Sequence, residues 1–267
     1  MTRLHKNHLR LSLLTALLAF VHTGCDPVAE DERYIEVKRT LTTRTVLLEE
    51  FTGQNCSNCP AAHRIIEALQ EQYGQSLVSV SIHAGSFAYA EGVMEPTFQT
   101  FKTPDGDTYA QRWGIEVYPS GVVNRRGGVL LYSDWAAAIH SELERPTSLD
   151  ISVQPALSVG SDEVVVNTRL STAEPIEGSF HLWLVEDSIV SLQLDGSTRL
   201  PNYKHNNVYR ASLTGTDGEP VSLSSAAPVE LHHTLALQPR WNPSHLRVVA
   251  FVTDSQGVCQ AAQAPLK

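Results

Sequence analysis

The chain has 267 residues, 42% of them hydrophobic and 18% charged, so it can bury a sizeable core and should form about two domains on length alone. Twenty-nine acidic against 20 basic residues leave a formal charge of -9. No Lys/Arg run beyond the amino terminus could track a phosphate backbone, which argues against nucleic acid as a partner.

In chain order, the first segment has a basic stretch (Arg3, Lys6, Arg10), an apolar run from Leu11 to Val21, and small residues Thr23 and Gly24 before Cys25. That is the layout of a secretory signal peptide over residues 1–24. The apolar run falls short of the roughly 18 to 20 residues a membrane-spanning helix needs. Gly24-Cys25 resembles the end of a bacterial lipoprotein signal, in which the Cys becomes the lipidated first residue, although His22 stands where such signals usually carry Leu. The competing reading is an ordinary secreted protein with an incidental Cys25. If Cys25 is lipidated, residues 25–36 form a flexible tether to a membrane. Of the other cysteines, Cys56 and Cys59 form a close pair and Cys259 stands alone in an apolar strand, where a small buried hydrophobe is expected.

Thr45 to Phe51 reads as a buried strand, Pro60 to Tyr73 as a helix stopped by Gly74, and Leu77 to His83 as a second strand parallel to the first. Ala84 to Arg112 reads as an insertion with a short helix near Asp107 to Trp113. A strand from Gly121 to Asn124 should turn through Arg125 to Gly128 and return over Val129 to Tyr132, and Asp134 should cap a helix from Trp135 to Leu143. Arg145-Pro146-Thr147 is the expected boundary. Beyond it, seven short apolar or alternating runs between Leu149 and Ala262, separated by Gly, Pro, Asp and Ser, predict an antiparallel β-sandwich.

The chemistry lies in Cys56-Ser57-Asn58-Cys59, where strand turns into helix. A helix amino terminus stabilises a thiolate on the first cysteine, which makes Cys56 the candidate nucleophile and Cys59 the resolving thiol. Two other readings compete. A zinc site would need two more ligands; His63 and His83 are near in sequence, but no second cysteine pair exists, so no metal and no cofactor is expected. A purely structural disulfide is the stronger rival, because export alone keeps the pair oxidised.

Val46 to Pro60, VLLEEFTGQNCSNCP, resembles the start of the thioredoxin-like domain in the outer-membrane lipoproteins related to Omp28. The resemblance extends to Tyr118-Pro119-Ser120-Gly121-Val122-Val123-Asn124-Arg125, to Leu184-Val185-Glu186-Asp187 and to His205-Asn206-Asn207-Val208-Tyr209-Arg210. It implies an α/β thioredoxin-like domain over residues 37–145 and an all-β, Ig-like antiparallel sandwich over 146–267, held in the cell envelope as an outer membrane lipoprotein facing the periplasm or the surface. It also implies that Pro119 is the cis-proline facing the redox pair and that Glu50 is the buried acid, its pKa raised, that moves a proton at Cys59. Tyr118, Ser57 and Asn58 would then line the substrate groove, with Tyr118 offering backbone groups to an extended chain. Here Asn55 stands where thioredoxins carry Trp, and Ser57-Asn58 replaces Gly-Pro, so the direction of exchange is open.

The expected function is thiol-disulfide exchange on exported proteins with thiols or disulfides. The alternative is a surface lipoprotein that binds a partner or adheres, its Cys56–Cys59 disulfide serving only to lock the turn; a carrier delivering a ligand held in the sandwich is a third reading. Exposure separates the first two, because exchange needs the Cys56 sulfur accessible beside Pro119, whereas a structural disulfide can lie beneath Phe87, Tyr89 or other insertion residues. His232 and His233 should point to opposite faces of a strand and cannot chelate together. Glu186-Asp187 and His205 to Arg210 are read as turn charges and an Arg-carboxylate clamp between strands.

Overall fold

A computed structural model describes residues 43–89, 98–158 and 160–266. The expected signal peptide, the tether and Cys25 lie outside them. The fold is mostly β with some helices.

The apolar run Val46–Thr52 forms β1 and Leu77–His83 forms β2, paired in parallel and buried at every position. Between them α1, Cys59–Tyr73, buries Cys59, Ala62, Ile66 and Leu69, and the chain leaves it through Gly74 at a positive φ of 56°. The next helix, α2, is Pro104–Arg112, starting three residues before the expected one because Thr103 caps it, its Oγ1 accepting from Gly106 N at 2.9 Å. Strand β3, Ser120–Val123, runs antiparallel to β1 and pairs with β4, Arg126–Leu131. Their turn lies at Asn124 and Arg125, whose φ values of 48° and 53° suit a two-residue hairpin, earlier than the expected turn over residues 125–128. The position is fixed by Asn124, which is fully buried, accepts from Leu47 N at 2.8 Å and donates to Glu142 Oε2 at 2.9 Å. Helix α3, Trp135–Leu143, starts where expected, but the Asp134 side chain makes no cap bond.

Nine further elements are strands: β5 Leu149–Leu157, β6 Glu163–Thr172, β7 Ile176–Glu186, β8 Ile189–Asp195, β9 Thr198–His205, β10 Val208–Ser212, β11 Glu219–Leu223, β12 Val229–Ala236 and β13 Leu246–Asp254. A tenth, β14, is Gly257–Pro265. Strands β8, β9 and β11 were not among the expected runs.

The expected boundary at residues 145–147 falls in the connection between α3 and β5, but strands from both sides of it share one sheet. Its order is β14-β13-β7-β10-β2-β1-β3-β4, with β11 also on β7. The joint is narrow: Val208 of β10 pairs with Ser81 of β2, and Ser81 N donates to Asn207 O at 2.7 Å. Arg247 braces it, donating to Ser79 O at 2.9 Å and Asn207 Oδ1 at 2.7 Å. A separate sheet of order β12-β6-β5 covers one face of this region. Strand alternation assigns the faces. Phe180, Leu182 and Leu184 of β7 meet Leu149, Val164 and Val166 of the small sheet, while Trp183 and Val185 turn the other way to join Leu47, Phe51 and Val80. Each such side chain contributes about 1.5–3 kcal/mol on burial.

Candidate functional site

Strand β1 is followed by Gly53, a position without room for a side chain, since a Cβ there would sit 2.3 Å from Phe87 O. The next four residues form a tight turn in which Asn55 N donates to Phe87 O at 2.9 Å and Cys56 N to Gly53 O at 3.1 Å. Cys56 and Cys59 are joined by a disulfide at the start of α1. Cys59 is fully buried and Cys56 is 2% exposed; Asn55 and Asn58 are the exposed residues of the turn.

What covers Cys56 was not visible in the sequence. The β8–β9 hairpin lies over the turn. Gln193, itself fully buried, donates from Nε2 to Cys56 O at 3.0 Å and Gly53 O at 3.2 Å. Backbone bonds add Leu194 N to Gln54 O at 2.8 Å and Gly196 N to Ser57 O at 3.0 Å. From the turn, Gln54 Nε2 donates to Ser191 Oγ at 3.2 Å, Leu192 O at 3.3 Å and Gln99 O at 2.9 Å. Phe87 contributes its carbonyl, and Tyr89 donates to Asn55 Oδ1 at 2.9 Å.

Glu49 and Glu50 are both fully buried and point to opposite faces of β1. Glu50 faces α1: Ser81 Oγ donates to its Oε2 at 2.5 Å, and His63 Nε2 lies 3.2 Å from its Oε1 without hydrogen-bond alignment. His63 is one turn beyond Cys59, touches Thr52 Oγ1 at 3.1 Å and meets Tyr203 OH of β9 at 2.9 Å. A polar network thus runs from β2 through Glu50 and His63 to the hairpin. The spacing Cys59–His63 put the imidazole on the cysteine face of the helix and was the signal available for it.

Pro119 follows a cis Tyr118-Pro119 bond and is buried next to Ser120, which pairs with Phe51 near the end of β1. Tyr118 packs on Phe87 with ring centroids 5.2 Å apart, and burial, with Asp107 adding, raises its hydroxyl pKa. Ser57 is half-buried, its carbonyl engaged by the hairpin. Cys259 has no disulfide; burial, reinforced by Asp254, pushes its thiol up to about 12. His232 and His233 take different partners, Asn167 at 2.9 Å and Glu219 at 3.0 Å. The Arg-carboxylate clamp is present, with Arg210 Nε 2.8 Å from Glu186 Oε2. Among the described residues no cluster of three His, Cys, Asp or Glu side chains could hold a metal ion.

A family model described as outer membrane protein Omp28 matches residues 106–267. The chain belongs to the Omp28 family. The matched segment contains the hairpin and Pro119 but not Cys56 or Cys59, and the family description supports a cell-envelope location for this Omp28 protein. Among solved structures, HBP35 of Porphyromonas gingivalis aligns with a TM-score of 0.64 at 16% identity, over 84% of this chain and 76% of its own. A structural-genomics protein from Agrobacterium tumefaciens aligns with a TM-score of 0.50 at 14% identity, over 83% and 94%. A domain of the outer membrane lipoprotein Omp28 from Porphyromonas gingivalis aligns over 45% of this chain and 89% of that one, with 16% identity and a TM-score of 0.34. At these identities the first two likenesses are ones of fold alone. No curated protein matches the sequence.

Proposed function

We propose that this Omp28-family protein is anchored in the envelope through a lipid on Cys25 and acts by binding a partner, with Cys56–Cys59 as a fixed lock beneath the hairpin. The observation that carries this reading is the 2% exposure of Cys56 under Gln193. Exchange begins with a thiolate approaching a disulfide sulfur, and a turn whose Gly53, Gln54, Cys56 and Ser57 carbonyls are held by a second strand pair gives it no approach. The order β1-α1-β2 with parallel strands, then antiparallel β3–β4 and α3, supports taking residues 46–143 as a thioredoxin-type unit. Fold alone does not supply activity.

One observation favours the exchange reading. Cys56 sits at the mouth of α1, where the helix amino terminus stabilises a thiolate, and buried Glu50 lies on the face of β1 that meets this helix. There, with the hairpin displaced, Cys56 attacks, Cys59 resolves, Glu50 assists, and Tyr118 and Pro119 shape the groove for an exported protein. The test is to equilibrate the folded chain with glutathione buffers and alkylate. The lock reading expects resistance until unfolding, or a potential below about -300 mV, and faster reduction in Gln193→Ala. A potential above about -230 mV in the unaltered protein would sink it in favour of exchange.

A further inference from the structure

Away from the disulfide, the loop following β12 and the segment leading into α2 flank an open pocket of about 390 Å³. That lies within the roughly 300–1,000 Å³ of small-molecule sites. On a protein with a formal charge of -9 its charged lining is cationic: Lys102, Arg210 and Arg240 face it and, among the described residues, no carboxylate does.

The site is built rather than incidental. Buried Glu186 holds Arg210 at 2.8 Å from one side and accepts from Asn242 N at 2.9 Å, so one carboxylate fixes both the guanidinium and the loop carrying Trp241. Gln99 Oε1 accepts from Arg210 NH2 at 3.0 Å, and the guanidinium carbon lies 5.6 Å from the Phe101 ring and 5.8 Å from that of Trp241. Lys102 is partly satisfied by Asp107 at 3.2 Å, whereas Arg240 is exposed and enters no ion pair among the described residues. The half-buried Trp241 supplies an aromatic surface. The remaining walls are mainly amides and hydroxyls, including Gln238, Thr100 and Thr103.

The geometry points to a binding site for an acidic sugar, a sugar ring bearing a carboxylate. The carboxylate meets Arg240 beside Arg210, the C–H face of the ring lies on Trp241, and the ring hydroxyls exchange hydrogen bonds with the glutamines and threonines. A flat aromatic acid would leave those polar walls unpaired, and a neutral sugar would leave Arg240, the lining cation that enters no ion pair among the described residues, unused. The inference deepens the binding reading above by naming a ligand class, and its test leaves the disulfide untouched, so the two can fail separately.

Titration calorimetry on the full chain with glucuronate, glucose and benzoate separates these chemistries. Glucuronate is expected to bind one to one with a dissociation constant on the order of millimolar, with a change in Trp241 fluorescence absent from Trp241→Phe. Arg240→Gln, an exposed change, should weaken it roughly ten-fold without altering the unfolding midpoint. Glucose binding as well as glucuronate removes the anion argument, benzoate binding as well removes the sugar argument, and no saturable heat with glucuronate overturns the site.

Discussion

Glu49 and Glu50 are neighbours in one strand, equally buried, and their charges are handled in opposite ways. Glu49 faces the aromatic core and is gripped by Arg125, whose Nε and NH2 approach its oxygens at 2.8–3.3 Å while the guanidinium lies 4.9 Å from the Phe251 ring and 5.6 Å from that of Trp183. Burial alone would lower the Arg125 pKa, and the carboxylate more than offsets it, leaving it raised. Glu50 has no guanidinium; its Oε1 lies 3.2 Å from the His63 imidazole, and Ser81 donates to the other oxygen. One face of β1 holds a closed charge pair, and the other holds a network that reaches the cysteine helix and its cap. Burial of an acid therefore says little until its partner is known.

The largest effect should come from breaking the closed pair. Arg125→Ala strands a carboxylate in the core and should cost about 3–5 kcal/mol in urea unfolding, while Glu50→Gln, which keeps an acceptor for Ser81, should cost about 1 kcal/mol. Equal losses would show that the two faces do not differ. Next in size, replacing Cys56 and Cys59 together by Ser removes closure of a very short loop and should cost about 2 kcal/mol. If the hairpin is what holds the turn, hydrogen exchange at Leu194 and Gly196 should stay protected in this double variant; loss of protection there would make the disulfide, not the cap, the organising element.

Much of the frame was legible in the sequence. A continuous apolar run revealed β1, alternation revealed β2, the Gly74 stop and apolar spacing revealed α1, and Asp134 marked the start of Trp135–Leu143 although its side chain makes no cap bond. The cysteine pair and its place at a helix start were legible too. The hairpin was not, and the reason is physical. Its inward residues at the cysteine turn include Ser191 and Gln193, so there it buries polar groups against backbone and side-chain polar atoms rather than an apolar stripe, and hydrophobic alternation has little to report. Pro201 within β9 further disguised it. The single-rung joint at Val208 and Ser81 was equally invisible, because a parallel pairing between residues so far apart leaves no local pattern.

The last expected effect appears only in acid. His205, at the end of β9, is 2% exposed beside Phe101 and His83, and neither ring nitrogen has a hydrogen-bond partner. Burial first, and the nearby His63 second, lower its pKa to about 3, and His83 is also lowered well below its usual value. On the Glu49 face, burial and then Arg125 and Arg112 lower His181 to about 3. Unfolded histidine titrates near 6.5, so above that pH these groups are neutral in both states and favour neither. Between about 6.5 and 3 the unfolded chain takes up protons that the folded one refuses, and stability falls as pH falls, by up to about 1.4 kcal/mol per pH unit for each histidine. His205→Phe, which keeps the ring packing, should remove one such increment from the slope, as should His181→Phe. The two differ in place: if the cap is anchored through the buried His205–His83 contact, acid should first quicken hydrogen exchange in residues 189–205 of the unaltered protein, His205→Phe should delay that loosening, and His181→Phe should leave it where it was. The same delay in both variants would mean that acid acts on the whole sheet and that the cap has no separate sensitivity.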